Sequence, residues 1–149
     1  MNYQVVEQLT EIQILDLLDL YKNEFWSYKR TREQVEKMLA ASDIVIGLVD
    51  ECDRLVAFTR VLTDFIYRAI IYDVIVKPSH RNMGLGAKLM ELVTNHPKLS
   101  SVELISLYCL PEMINFYERR GFTADVGEFH LMFYGNKIHT ENIYMSDEK

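Results

Sequence analysis

The stretch VIVKPSHRNMGLGAKLM, residues 74–90, decides how this chain folds. A β-branched apolar run stops at Pro78, a polar and basic segment follows, and Gly84 and Gly86 lead into apolar residues at helical spacing. This pattern predicts a strand, a turn and a helix. Glycine accepts positive φ and lets a ligand approach the main chain, and the first N–H groups of a helix have no partner inside it. The turn is therefore a candidate anion site, and Arg81 could add positive charge to it.

Two common phosphate-binding motifs fit this turn poorly. The Walker pattern needs Gly-Lys followed by Ser or Thr, but here Lys88 stands between Ala87 and Leu89. The dinucleotide fingerprint needs a third glycine where Leu89 stands, and a turn that directly follows the strand. A phosphate ligand bound by some other arrangement stays open on these residues alone.

The rest of the chain predicts a mixed α/β (α+β) fold. Thr10 and Thr31 each precede a glutamine three residues later, which is the capping box that opens a helix. Two later helices are expected, one after the glycines up to Pro97 and one from Pro111 to Gly121. An antiparallel meander then precedes a strand–helix–strand unit, and the helices cover the sheet. The predicted strands are 3–7, 44–49, 55–62, 69–76, 102–108 and 129–134.

Composition narrows the function classes. The 149 residues suit one domain, and a net charge of -6 argues against a nucleic-acid partner. Cys52 and Cys109 lie far apart without any metal-ligand spacing, so neither a metal site nor a disulfide framework is expected. We see no signal peptide and no apolar run of membrane-spanning length, so a cytoplasmic protein with no membrane partner is expected.

Two motifs carry a resemblance to a known family. VKPSHRNMGLGA, residues 76–87, contains Arg/Gln-x-x-Gly-x-Gly/Ala after a strand that ends in Val-x-Pro, and FYERRGF, residues 116–122, resembles a second motif. With the order of elements over residues 3–134, the chain resembles the GNAT superfamily of acetyl-CoA-dependent N-acetyltransferases. The resemblance implies a single N-acetyltransferase domain over residues 1–134, followed by a polar tail, residues 135–149. It also implies a mostly antiparallel central sheet flanked by helices, with a splayed parallel strand pair.

The resemblance places acetyl-CoA, as co-substrate, in the cleft between strands 69–76 and 102–108. Main-chain groups of the first strand would pair with the pantetheine arm, and an N–H there would polarise the thioester carbonyl. N–H groups of the turn would hold the pyrophosphate, which side chains at the glycine positions would block. Arg81 is either a flanking contact or a plain loop cation. The implied coenzyme-binding residues are Val74, Ile75, Val76, Arg81, Asn82, Met83, Gly84, Leu85, Gly86 and Ala87.

The same resemblance assigns catalysis to Tyr117, in the position of the general acid, because a phenol with a pKa near ~10 stays protonated at neutral pH. The base is open between Asp73, beside the expected acetyl site, and Asp64 in the preceding turn. Ile105 stands where some members have a glutamate, and Leu110 where many have an asparagine. These departures keep a second hypothesis, a non-catalytic acyl-CoA-binding or sensor module.

The acceptor is expected to be a small-molecule or peptide amine. Trp26 and Tyr28, between the first two helices, are candidates to border its pocket and contact a cationic amine. Arg60 and Asp64 line the cleft or form a plain surface ion pair. An acidic cleft would suit a cationic acceptor, and its expected carboxylates are Asp64, Asp73 and Glu112. A homodimer is expected from family habit alone.

Overall fold

A five-stranded sheet lies at the centre of the structure, a computed structural model in which residues 2–134 are described. Its strands are β1 (Gln4–Val6), β2 (Ile44–Val49), β3 (Leu55–Thr63), β4 (Arg68–Val76) and β5 (Leu104–Ser106), in that spatial order. All neighbouring strands pair antiparallel except β4 and β5, which are parallel. The mixed, mostly antiparallel fold class is confirmed. The predicted tail, residues 135–149, lies outside the described residues.

Four α-helices cover the sheet within the described chain: α1 (Glu11–Lys22), α2 (Arg32–Ala41), α3 (Leu85–Thr94) and α4 (Ile114–Glu118). Both predicted capping boxes are present. The Thr10 hydroxyl accepts from the Gln13 N–H at 3.3 Å, and the Gln13 side chain accepts from the Thr10 N–H at 3.0 Å; Thr31 and Gln34 repeat this arrangement. Among residues 2–134, no helix is long and apolar enough to cross a membrane.

The core consists of two apolar clusters. Leu89, Met90 and Val93 of α3 pack with sheet residues in one cluster, which also contains Tyr117 of α4. Leu17 and Tyr21 of α1 belong to the second cluster. Each fully buried Leu or Val side chain stabilises the fold by roughly 1.5–3 kcal/mol relative to its exposed state. The two clusters fix α1, α3 and α4 around the carboxyl end of β4.

One strand prediction was wrong, and another strand is shorter than predicted. The stretch 129–134 is not a strand: it pairs with no strand of the described chain, and Phe129 and Met132 are each 85% exposed. Apolar alternation stabilises a strand only when a neighbouring strand supplies hydrogen bonds and cross-strand contacts. The strand expected at 102–108 is shorter, because β5 keeps its pairing with β4 only over Leu104–Ser106.

Candidate active site

The parallel strands β4 and β5 separate within the sheet. Their pairing covers Arg68 to Ile70 against Leu104 to Ser106, while β4 continues to Val76. A cavity of about 990 Å³ opens beyond this point, lined by the rest of β4 and by the chain that follows β5. An unpaired strand edge offers its N–H and C=O groups to an extended ligand. The splayed parallel pair is therefore present, with a cleft at its mouth.

A β-bulge lies beside this cleft. Arg60 pairs with Tyr72 and Phe58 pairs with Ile75, so Asp73 and the residue after it oppose a single residue of β3. Asp73 has a φ of 57°, in the left-handed region that non-glycine residues rarely adopt. The bulge bends β4 where it leaves β5 and directs the Asp73 side chain toward α1 and the α1–α2 connection.

The turn before α3 presents a row of main-chain donors. No hydrogen bond is recorded within residues 2–134 for the N–H groups from Asn82 to Ala87, and the first bonded N–H is that of Lys88, to the Gly84 carbonyl at 3.0 Å. Asn82 and Gly84 have φ values of 62° and 79°, which turn the chain into the helix. All of these residues except Met83 line the same cleft. Their N–H groups suit a diphosphate, because free N–H groups at a helix start favour an anion.

The two glycines of this turn have different roles. Gly84 needs its positive φ, and a Cβ there would have no atom within 4 Å. Gly86 lies inside α3, and a Cβ there would come within 3.1 Å of the Phe116 ring. The missing side chain of Gly86 therefore also lets α4 pack against α3, a role that the sequence analysis did not foresee.

Arg81 and Met83 both have hydrogen-bond partners within the protein. Arg81 donates to the Val76 carbonyl at 3.2 Å and to Glu24 at 2.9 Å, which ties the turn to β4 and to the end of α1. The Met83 sulfur accepts from the Tyr3 hydroxyl at 3.8 Å, and its side chain is outside the cleft lining.

Tyr117 lies on the cleft wall. It is held edge-on between Phe116 and Phe122, with ring centroids at 4.9 and 6.0 Å, and it is buried. Burial, with the nearby Cys109 thiol, raises the pKa of Tyr117 to about 12. The phenol therefore stays protonated throughout the neutral pH range.

Three side chains donate hydrogen bonds to the Asp73 carboxylate. Its Oδ2 accepts from Arg60 Nε at 2.7 Å, from Arg30 Nη1 at 2.8 Å and from the Tyr21 hydroxyl at 2.9 Å. Burial disfavours the charged carboxylate, but the bonds and charges of Arg30 and then Arg60 outweigh it and lower the pKa of Asp73. A saturated carboxylate of low pKa is a poor proton acceptor, so the structure does not support Asp73 as the base.

Comparison with known proteins identifies the family. The Acetyltransferase (GNAT) family profile matches residues 11–122. This chain belongs to the GNAT acetyltransferase family. It is 31% identical over 126 residues to the N-acetyltransferase ycf52 of Porphyra purpurea, covering 83% of this chain and 72% of the relative.

Two further proteins show how widely this likeness extends. Serotonin N-acetyltransferase 2, chloroplastic, of Oryza sativa subsp. japonica is 32% identical over 119 residues, covering 76% of this chain and 59% of the relative. A solved structure from Xanthomonas campestris pv. campestris, assigned to the GNAT family, superposes with a TM-score of 0.76 at 27% identity, covering 90% of this chain and 94% of that one. The protein is thus an acetyl-CoA-dependent acyltransferase.

The acceptor candidates of this GNAT enzyme divide between the cleft and the surface. Trp26 and Arg60 line the cleft, whereas Tyr28 is half exposed outside the lining. Asp64 also lies outside the lining, and its Oδ1 accepts N–H groups of Ile66 to Arg68 at 2.7–3.0 Å. The bonds from these N–H groups lower the pKa of Asp64. Asp64 therefore fixes the β3–β4 turn, which corrects its predicted place in the substrate cleft.

Sequence reasoning missed Arg30 and Tyr21. Arg30 precedes the capping box of α2 and lies 43 positions before its partner Asp73. Tyr21 belongs to the apolar stripe of α1, where its hydroxyl gives no sequence signal. Neither position carries a local pattern, because the bulge that brings Asp73 to them forms only when β3 and β4 pair.

A covalent or metal-assisted route finds little support among the described residues. They contain no cluster of His, Cys, Asp and Glu suited to a metal ion. The Cys109 thiol lines the cleft, but burial, then the nearby Glu112 charge, raises the pKa of Cys109, which is the opposite of an activated nucleophile.

Proposed function

We propose that this GNAT enzyme is an N-acetyltransferase that moves the acetyl group of acetyl-CoA to a primary amine of a small molecule or peptide by direct attack. One observation carries the proposal. A single cleft brings together the open edge of β4, the main-chain donors from Asn82 to Ala87, and the phenol of Tyr117. Family membership favours this enzyme over a non-catalytic acyl-CoA sensor.

The cleft fits the coenzyme chemically. The β4 edge at Val74 to Val76 would pair with the amides of the pantetheine arm, as an added strand does. The N–H groups from Asn82 to Ala87 would hold the diphosphate. These two contacts would direct the thioester toward the bulge at Asp73, where a main-chain N–H can polarise its carbonyl.

Tyr117 would act on the leaving sulfur. In the reaction a C–N bond forms and the C–S bond breaks; the amine loses one proton and the thiolate gains one. A phenol with a pKa of about 12 would transfer its proton to a thiolate of pKa near ~8.5 uphill by about 5 kcal/mol. Tyr117 would therefore stabilise the leaving sulfur through a hydrogen bond that strengthens as charge develops there, and water would carry the proton that the amine loses to the thiolate that gains one.

The acceptor would enter as a free amine. Asp73 is held by arginines and Asp64 lies outside the cleft, so the amine proton passes to water. We therefore expect kcat/KM to rise with pH up to the pKa of the acceptor amine, with no additional inflection from an enzyme carboxylate.

The test is thiol release from acetyl-CoA across a panel of amines that includes serotonin, the substrate named for the rice relative. Tyr117→Phe should lower kcat by about 10²–10³ while coenzyme Kd is unchanged, because one hydrogen bond to the developing negative charge is lost. Tyr28→Phe is the matched control, since Tyr28 lies outside the cleft lining. Coenzyme binding without turnover of any acceptor would refute the enzyme, and full activity of Tyr117→Phe would refute the role of the phenol. The cytoplasmic location and the homodimer stay predictions.

A further inference from the structure

The sequence had suggested an acidic cleft, but the described cleft carries an excess of positive charge. Its described lining contains four arginines and three carboxylates. The charged lining residues are Arg30, Arg60, Arg81, Arg120, Glu24, Asp73 and Glu112. The prediction of an acidic cleft was therefore wrong, and the excess charge calls for a ligand of opposite sign.

Arg120 and Glu112 contribute one charge of each sign, so the excess lies in one of the two remaining groups of charges. Arg81 pairs with Glu24 at 2.9 Å, at the coenzyme end of the cleft. Arg30 and Arg60, in contrast, share the single carboxylate of Asp73, and both bind its Oδ2. Two guanidinium charges on one carboxylate leave one positive charge uncompensated beside the bulge of β4.

The arginines, not the carboxylate, face the cleft. The Asp73 side chain is only 4% exposed, whereas those of Arg30 and Arg60 are 29% and 13% exposed. Arg60 uses Nε for Asp73, and no partner is recorded within residues 2–134 for its terminal nitrogens. Every fully buried side-chain nitrogen of the described residues has a hydrogen-bond partner. The terminal nitrogens of Arg60 have none among these residues, so they are not fully buried and reach the solvent of the cleft.

Aromatic rings hold both guanidinium groups in place. Arg30 lies over the rings of Tyr21 and Trp26 at 4.6 and 5.3 Å, and Arg60 lies over the ring of Tyr72 at 4.9 Å. A guanidinium fixed in this way binds an anion with little loss of side-chain freedom.

We propose that Arg60, supported by Arg30, forms a subsite for an anionic group of the acceptor, so that the preferred acceptor is an amine that also carries a carboxylate or phosphate. This inference rests on the proposed acetyl transfer. Asp73 fixes the fork of Arg60 next to the bulge, and the terminal N–H groups of Arg60 bind the acceptor anion. If the cluster only held the bulge in place, kcat/KM would not depend on the charge of the acceptor.

Matched acceptors test the subsite. We would compare 5-aminovalerate with 5-aminopentanamide, and phosphoethanolamine with ethanolamine; tryptamine serves as an aromatic acceptor without an acid. The first pair differs far from the amine, so amine basicity is similar. We expect kcat/KM to favour the anionic member of at least one pair by about tenfold or more, mainly through KM. The pair that shows the preference identifies carboxylate or phosphate.

Variants assign the preference to the arginine. Arg60→Gln should reduce the anionic preference to about threefold or less, and Arg60→Lys should retain more of it. Arg32→Gln is the control, because Arg32 pairs with Glu36 on the surface of α2 and should leave the preference intact. Circular dichroism checks that each variant is folded. Equal kcat/KM for charged and uncharged acceptors, or a preference for tryptamine over every anionic acceptor, overturns the proposal.

A binding measurement separates this proposal from the enzyme itself. Trp26 is the single tryptophan of the chain and touches Arg30, so its fluorescence reports on the subsite. With the coenzyme site saturated by CoA, glutarate should change the emission saturably, with a Kd at least about tenfold weaker in Arg60→Gln. If no amine is turned over, the proposed acetyl transfer is refuted. A saturable response to glutarate would then still support the anion subsite, whereas no response to glutarate would overturn the subsite as well.

Discussion

Asp73→Asn should destabilise the protein substantially, because it removes the carboxylate that Arg30 and Arg60 share. At an effective dielectric constant of about 20 and a charge separation of about 4 Å, each pair contributes roughly 4 kcal/mol. Much of this gross gain is offset, because burying a carboxylate costs several kcal/mol, and the 29% exposed Arg30 side chain can be rehydrated. Breaking a buried pair costs about 3–5 kcal/mol, so we take the lower end, about 3 kcal/mol.

Urea unfolding at pH 7 measures this loss, and a thermal scan should show a Tm lower by about 6–12 °C. The pKa of Asp73 is lower in the folded protein than in the unfolded chain, where it is about 3.9. The stability that ionised Asp73 contributes is therefore fully present above about pH 3.9 and is lost as pH falls through the folded-state pKa. The free energies of unfolding of wild type and Asp73→Asn should therefore converge below about pH 4.

Asp19→Asn is the control, because the Asp19 carboxylate is exposed and pairs with an exposed Lys22 at 3.9 Å; its effect should be about 0.5 kcal/mol or less. The double variant Asp73→Asn/Arg30→Leu should lose less than the sum of the single losses, since it removes a charge together with its partner. A loss below about 1 kcal/mol for Asp73→Asn, or a difference that does not change with pH, would refute the electrostatic reasoning.

Three further substitutions test the packing around the cleft, each by urea unfolding. Gly86→Ala should cost about 1 kcal/mol because its Cβ meets the Phe116 ring at 3.1 Å. In a protein that already carries Phe116→Leu, Gly86→Ala should cost almost nothing; equal costs in both backgrounds would contradict the proposed clash. Gly47→Ala should cost about 1–3 kcal/mol, since its Cβ would lie 2.7 Å from the Leu55 side chain, and an unchanged stability would show that this side chain yields easily. Thr10→Ala should cost about 1 kcal/mol through the lost cap of α1; a change below about 0.3 kcal/mol would mean that the cap is redundant.

Local chemistry made much of the fold predictable. The capping boxes at Thr10 and Thr31 define where two helices begin, because hydroxyl and amide partners three residues apart satisfy donors that the helix leaves free. The turn at Gly84 was also predictable from local sequence, because few residues other than glycine adopt its φ of 79°.

Features that depend on long-range pairing were not predictable. The sequence does not indicate that Asp73 and its neighbour share one partner on β3, and therefore does not indicate that Arg30 contacts this carboxylate. The stretch 129–134 has a strand-like composition, but its conformation depends on whether a neighbouring strand is available. The acidic cleft was misjudged because counting carboxylates in the sequence ignores which of them face guanidinium groups.

The short pairing between β4 and β5 has a consequence for the order of substrate addition. Beyond Ser106, the segment that carries Tyr117 is attached to the sheet mainly by side-chain packing. A coenzyme bound along β4 would bridge the gap and hold this segment in place, and at a hundredfold excess over Kd it would contribute about 2.7 kcal/mol to stability. The acceptor pocket then gains its second wall only after the nucleotide has bound, so we expect a compulsory sequence in which acetyl-CoA arrives first and free CoA departs last.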